Sequence, residues 1–324
     1  MAPGSIRSRG TLVAALAGVA AVAACNQPQL PQPAKLHLPD TVTVRHAGEI
    51  ASVPLEDYVL ASSLAEVSPI DQPPDAVERI FEVQAVLART YAAGHLGKHR
   101  AEGFDLCDTT HCQLYDPARV RTSRFAAEAH DAVRRTAGVV LTYQGRLAEG
   151  LYHADCGGFT AAADDVWGGA AVPYLIAAPD DPPSAARRKW QVTVAVEQLR
   201  AVLNLDPRTE VGRTFDRIEV TDRDRGGHAV LLTVAGEHVH QLRGEEFREI
   251  ANQGLGPRAI QSTLFAVTRS RGDLVFSGAG FGHGVGLCQT GAAARARQGE
   301  TLDAILTHYF PGVLLTRGVG ALQY

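Results

Sequence analysis

The stretch AVERIFEVQAVLARTYAAGHL, Ala76 to Leu96, constrains the fold more than any other part of the chain. Val77, Ile80, Phe81, Val83 or Gln84, Leu87 and Tyr91 recur at helical spacing. Pro73 and Pro74 stand just before it, where proline suits a first helical turn. The pattern predicts a long helix whose apolar face the rest of the chain must cover. Gln84, Arg89, Thr90 and Tyr91 are its polar groups, with Gln84 and Tyr91 two turns apart on one side. These are candidates for a site, or Arg89 forms a structural ion pair and Tyr91 caps the core. A second helix, entered near Pro54, is expected in VPLEDYVLASSLAEV, after a strand in the alternating TVTVRH from Thr41 to His46.

Farther along, the pattern is irregular. Between Cys107 and Ala171, turn residues separate a helix near Phe125 to Arg135 from strands at VVLTYQG and AEGLYHA. From Trp190 the reading is strand, helix (Val196 to Leu203), strands near Phe215 to Thr221 and His228 to Val234, a short helix near Gly244 to Ala251, and strands flanking Gly272. A last helix runs from Gly291 towards Tyr309. With no repeating βα unit and no internal repeat, this mixing predicts an α+β fold, a single irregular domain over 41–324.

Charge narrows the function classes. The net charge of −4 and the scarcity of lysine, present at Lys35, Lys98 and Lys189, leave no basic tract of the kind a nucleic-acid binder needs. At the N-terminus, Arg7 and Arg9 precede an uncharged run from Thr11 to Ala24, the layout of a signal peptide over 1–24. VAAC, Val22 to Cys25, resembles a bacterial lipoprotein cleavage box and makes Cys25 the lipidated residue; secretion with an incidental cysteine is the alternative. Both readings predict export. Residues 25–40, rich in proline and glutamine, read as an extended tether, and Asn26 in place of aspartate after Cys25 points to the periplasmic face of the outer membrane.

Four constellations could carry chemistry. CDTTHC places Cys107, His111 and Cys112 together, a donor set that suits zinc, with His153, Cys156, His95, His99 or Cys288 as a further ligand; a disulfide fits equally well in an exported chain. Glu66, in SSLAEVSP, sits among Leu64, Ala65 and Val67, and burial there would raise its pKa towards that of a general acid. The polar groups of the long helix are the third. The fourth is FGHGVGLCQTGA, Phe281 to Ala292, whose glycines suggest backbone approaching a ligand while His283 and Gln289 hydrogen-bond it. It matches neither a phosphate-binding lysine loop nor a dinucleotide fingerprint, and a Cys288–His283 nucleophile pair lacks an orienting third group.

Together LEDYVLASSLAEV, VQAVLARTYA, CDTTHCQLY, YHADCGGFT, VWGG, LRGEEFR, GHGVGLCQTGA and ILTHYFPG resemble the SpoIID/LytB family, in the family's order and over nearly everything after the tether. The resemblance implies a lytic transglycosylase acting on peptidoglycan, often on glycan stripped of stem peptides, with Glu66 as the catalytic acid; some members are instead enhancers of cell-wall amidases. It implies that the loop carrying His283 and Gln289 lines the glycan cleft, and Gln84, Arg89, Tyr91 and Gln113 are the further candidates for binding substrate. It also implies zinc as a structural clip on Cys107, His111 and Cys112, to which Cys156 is added as the further ligand. Val67, the inserted Ser68, Phe281, Cys288 and Thr290 depart from the family pattern, and two of these replace tryptophans that would stack on sugar.

Overall fold

The long helix is Pro74–Gly94, with Pro73 extended at its N-cap. In the computed structural model, which describes residues 36–180 and 188–320 together with Met1, Ala2 and Gly4, this helix separates two hydrophobic cores. Val77, Phe81, Ala85, Ala88 and Tyr91 face one core, and Ala76, Ile80, Val83, Val86 and Leu87 face the other. A helix that is apolar on both sides must be buried on both. The chain divides into Met1–Ala34 and Lys35–Tyr324, and every element described here belongs to the second unit. Cys25, the expected signal segment beyond Gly4 and most of the expected tether lie outside the described residues. Folded structure begins earlier than Thr41, since Leu38 is buried and its N–H donates to Val319 O at 3.0 Å.

The first core is closed by helices Leu55–Glu66 and Ala126–Arg135 and by the antiparallel strands Thr41–His46 and Glu49–Pro54. The second is closed by a sheet in which Val139–Tyr143 lies between Leu314–Arg317 and Arg146–Leu147, and by helices Gln289–Arg297 and Leu302–Tyr309. Those last two helices correct the expectation of one helix running to Tyr309. Gly299, at φ +81°, ends the first, and the Thr301 hydroxyl caps the second by accepting from Ala304 N.

A third core, around Trp190, Phe247, Phe265 and Phe276, fills residues 189–279. It holds two three-stranded antiparallel sheets with helices Val196–Leu203 and Gly244–Leu255. The chain leaves for this region after strand Tyr152–His153 and returns at strand Leu287–Cys288, and these two pair in parallel, Tyr152 with Leu287 and His153 with Cys288. Mixed helices and sheets without βα repetition make the fold α+β. Among the described residues no helix is long and apolar enough to cross a membrane.

Candidate active site

Glu66 is the last residue of helix Leu55–Glu66, and extended Val67 leads from it to buried Pro69. It opens onto a cleft of roughly 270 Å³ lined also by Val67, Pro69, Ile80, Ala154, Gln289 and Thr290. Its Oε1 accepts from Leu114 N at 2.7 Å. Burial raises its pKa above the ordinary 4.5; the Leu114 N–H and the Tyr152 hydroxyl oppose the rise without cancelling it. The shift is in the direction that a general acid requires.

Behind this carboxyl lies a row of side-chain amides. Gln113 is 1% exposed; its Nε2 donates to Ala88 O at 3.2 Å, and its Oε1 accepts from the Tyr152 hydroxyl at 3.2 Å. Gln84, also 1% exposed, accepts from Gln289 Nε2 at 3.2 Å. Of the residues expected to bind substrate, Gln289 alone lines the cleft, while Gln84 and Gln113 are buried supports for Gln289 and Tyr152. Tyr152 and the backbone of Leu114 were not singled out by sequence reasoning. The first lay inside a quoted motif, and the second has no side-chain signal at all.

Two expectations for the helix are corrected. Arg89 is 0% exposed, its Nε and Nη2 donate to both oxygens of Glu56 at 2.9 and 2.6 Å, and its Nη1 donates to Val139 O at 3.0 Å. Its donors are consumed inside the fold, so it is a structural ion pair. The Tyr91 hydroxyl accepts from Lys98 Nζ at 2.9 Å and its ring stacks on His95 with centroids 3.9 Å apart, so it packs in the core near the CDTTHC segment.

The glycine-rich loop packs on the protein itself. Gly280, Gly282, Gly284 and Gly286 all have positive φ, but the backbone they bring close is the protein's own. A Cβ on Gly282 would lie 2.9 Å from His153 Cβ, and one on Gly286 would lie 2.3 Å from Leu151 O. Phe281 exchanges hydrogen bonds with Asp155, and Ala161 N donates to Gly284 O at 2.8 Å. His283 is outside the lining of the cleft. Its Nδ1 accepts from Val285 N at 3.0 Å, and its ring packs against His153 and the exposed Trp167, with centroids 5.6 and 5.2 Å away. Burial, then His153 and Arg248, pushes its pKa down to about 3, so the ring is neutral.

The sulfur and imidazole donors separate into two sets. His99, Cys107, His111 and Cys112 bring their ligand atoms within 4.8 Å of one another, and the Cys112 Sγ to His99 Nε2 distance is 3.4 Å. Burial opposes ionisation of Cys107, but hydrogen bonds from Thr109, His111 and Cys112 outweigh it and bring the thiol down to about 6. Cys156, expected as a further ligand here, is instead grouped with His153 and Cys288, and His99 takes its place. The four described cysteines are free thiols.

A family model described as Stage II sporulation protein, SpoIID, matches residues 44–143, the span that carries Glu66, the long helix and the first donor set. The chain thus carries a SpoIID domain over that span. A second model, a domain of unknown function, matches residues 183–286 and so covers the third core. The chain is 29% identical to an uncharacterized protein of Brachyspira hyodysenteriae over 265 residues, 80% of this chain and 66% of that protein. Stage II sporulation protein D of Bacillus subtilis is 27% identical over 281 residues, 82% of this chain and 76% of its own length. The amidase enhancer of the same organism is 26% identical over 302 residues, covering 78% of this chain and 40% of the enhancer.

Proposed function

We propose that this chain acts on the cell wall as a peptidoglycan lytic transglycosylase, cutting the bond from N-acetylmuramic acid to N-acetylglucosamine, with Glu66 as the acid and base. The observation that carries the reading is a single half-buried carboxyl, raised in pKa, on a cleft whose other lining residues are not acidic. Ordinary glycosidases need two carboxyl groups about 5 to 10 Å apart. The next acidic candidate on the same helix, Asp57, is exposed and lies nine residues earlier, about 13 Å along the axis. One carboxyl suffices when the nucleophile is the substrate's own C6 hydroxyl. Glu66 gives its proton to the leaving oxygen, then accepts the hydroxyl proton as that oxygen closes the 1,6-anhydro ring, with no water consumed. Leu114 N–H holds one carboxyl oxygen, and the Gln113–Tyr152 pair fixes the polar neighbour.

Zinc fits the set His99, Cys107, His111 and Cys112 as a closed structural site: four nitrogen and sulfur donors lie within reach of one ion. The His99 Nδ1 to Glu102 Oε1 contact of 2.5 Å is the outer carboxylate such histidines commonly carry. The ion would brace Gln113 and Leu114, which follow Cys112 directly. On the same reading the protein is exported and lipid-anchored in the cell envelope.

Mass spectrometry of products from denuded and peptide-bearing glycan tests the chemistry. Anhydromuramoyl ends made by wild type and lost in Glu66→Gln are expected, and hydrolysed reducing ends would overturn the mechanism. Similarity to an amidase enhancer favours a second reading, a wall-binding protein that stimulates an amidase partner. Intact glycan in both samples, with amidase stimulation surviving Glu66→Gln, would decide for it.

A further inference from the structure

A second sulfur and imidazole cluster lies beside the cleft, and the glycosidic chemistry makes no use of it. His153, Cys156 and Cys288 are 4%, 4% and 2% exposed, and their ligand atoms lie within 4.8 Å of one another. Three features separate them from thiols that merely pack. His153 Nδ1 meets Val285 O at 3.2 Å, so Nδ1 carries the proton and Nε2 offers a lone pair. That Nε2 is buried and has no hydrogen-bond partner. A metal-bound imidazole shows the same division, one nitrogen on a backbone carbonyl and the other on the ion.

The sulfurs, in turn, are surrounded by donors. Cys288 Sγ accepts from the backbone N–H of Cys156 and of Gly291, both at 3.3 Å, and Cys156 Sγ accepts from Gly158 N at 3.4 Å. Cys288 is also the N-cap of helix Gln289–Arg297, where the helix dipole favours negative charge. Backbone donors aimed at sulfur suit a thiolate once a metal displaces its proton, which Cys156 and burial otherwise hold on Cys288. A disulfide between the two cysteines would use neither this arrangement nor the lone pair of His153. Asp180 borders the cluster: its Oδ2 lies 3.5 Å from Cys156 Sγ and accepts from the Tyr309 hydroxyl at 2.9 Å.

We propose that His153, Cys156 and Cys288 bind a zinc ion, at a site separate from the His99, Cys107, His111 and Cys112 set, the fourth position being left to a ligand from outside the three. Soft thiolate and imidazole ligands in a buried pocket select zinc over calcium or magnesium. The site would join strands Tyr152–His153 and Leu287–Cys288 across the 132 residues that separate Cys156 from Cys288. It would also fix the start of the helix that puts Gln289 and Thr290 into the cleft. The proposal does not depend on the reaction assigned to Glu66.

The test is zinc per chain, measured by elemental mass spectrometry on full-length protein purified with reductant. Cys156→Ser/Cys288→Ser and His153→Gln should each lose one equivalent relative to wild type, whereas Cys107→Ser/Cys112→Ser should keep the equivalent they lose. In wild type itself, stripping with a chelator should speed alkylation of Cys156 and Cys288 at least tenfold, and added zinc should restore protection. This second readout holds even if the variants misfold. An unchanged zinc content in Cys156→Ser/Cys288→Ser, or equal alkylation rates with and without zinc, would overturn the proposal. So would a Cys156–Cys288 disulfide found by peptide mass in chain purified without reductant.

Discussion

Removing Glu56 should nearly unfold this protein while leaving the cleft chemistry untouched. Arg89 has no exposed surface, and the Glu56 side chain is 13% exposed. The pair ties the first turn of helix Leu55–Glu66 to the second turn from the end of helix Pro74–Gly94, and Arg89 Nη1 extends the tie to strand Val139–Tyr143. Breaking one partner of a buried ion pair costs about 3 to 5 kcal/mol, because the other charge is left uncompensated. Glu56→Ala also strips an acceptor from Gly138 N, 3.2 Å from Glu56 Oε1, which adds about 1 kcal/mol. The expected loss of about 4 to 6 kcal/mol is a large share of the roughly 5 to 15 kcal/mol that holds a domain together. Replacing both partners by apolar residues, as in Glu56→Leu/Arg89→Met, leaves no buried charge and should recover most of that loss. Urea unfolding followed by circular dichroism gives the comparison, with stability read from midpoints at constant slope. If Arg89→Met retained wild-type stability but lost glycan binding, the side chain would be reaching substrate and the structural assignment would be wrong.

Other outcomes follow from the same geometry. The folded-state pKa of Glu66 is raised, so between pH 4.5 and that higher value the native chain keeps a proton the unfolded chain has lost, and stability falls as pH rises through the window. Glu66→Gln should abolish that decline in a pH series of urea midpoints, and the wild-type rate should fall on the alkaline side as the acid form is lost. Gly286→Ala combines φ +72° with a Cβ 2.3 Å from Leu151 O, whereas Gly299→Ala, at φ +81°, meets nothing within 4 Å. The first should cost about 2 to 5 kcal/mol and the second about 1 to 2, a gap that thermal melts would resolve. Chelation should lower the melting temperature without changing the glycan ends produced; a switch in product chemistry would refute a purely structural role for the metal at Cys107 and Cys112.

The parts of the fold that were legible in sequence are those whose signal is local. Pro73, Pro74 and the apolar spacing through Tyr91 announce the long helix within 21 residues. Glu66 stands in an apolar stretch that by itself suggests a buried acid. Arg89 misled because its partner, Glu56, lies 33 residues earlier and nothing near Arg89 hints that its charge is already satisfied. The glycines of Phe281 to Gly286 declare positive φ and close approach but not what approaches, and the neighbour proves to be the segment from Leu151 to Ala161.

Sequence alone does not show that Cys156 lies beside Cys288 and not beside Cys107 and Cys112, for a related reason. Its grouping with Cys288 rests on a parallel pair of two-residue strands, too short to leave a pattern, with the whole third core between them. That pairing also explains how one short strand can serve both sides of the site. Side chains alternate along a strand, so when Tyr152 turns towards Glu66 and Gln113, His153 must turn away, towards Cys156 and Cys288. Shifting this strand by one residue would exchange the hydroxyl at the carboxyl for an imidazole and leave both thiols without their nitrogen neighbour. Register at Tyr152–His153 therefore couples the acid to the cluster, and the short strand is held to it by Gly282 and Gly286, whose missing side chains let the returning loop press against His153 and Leu151.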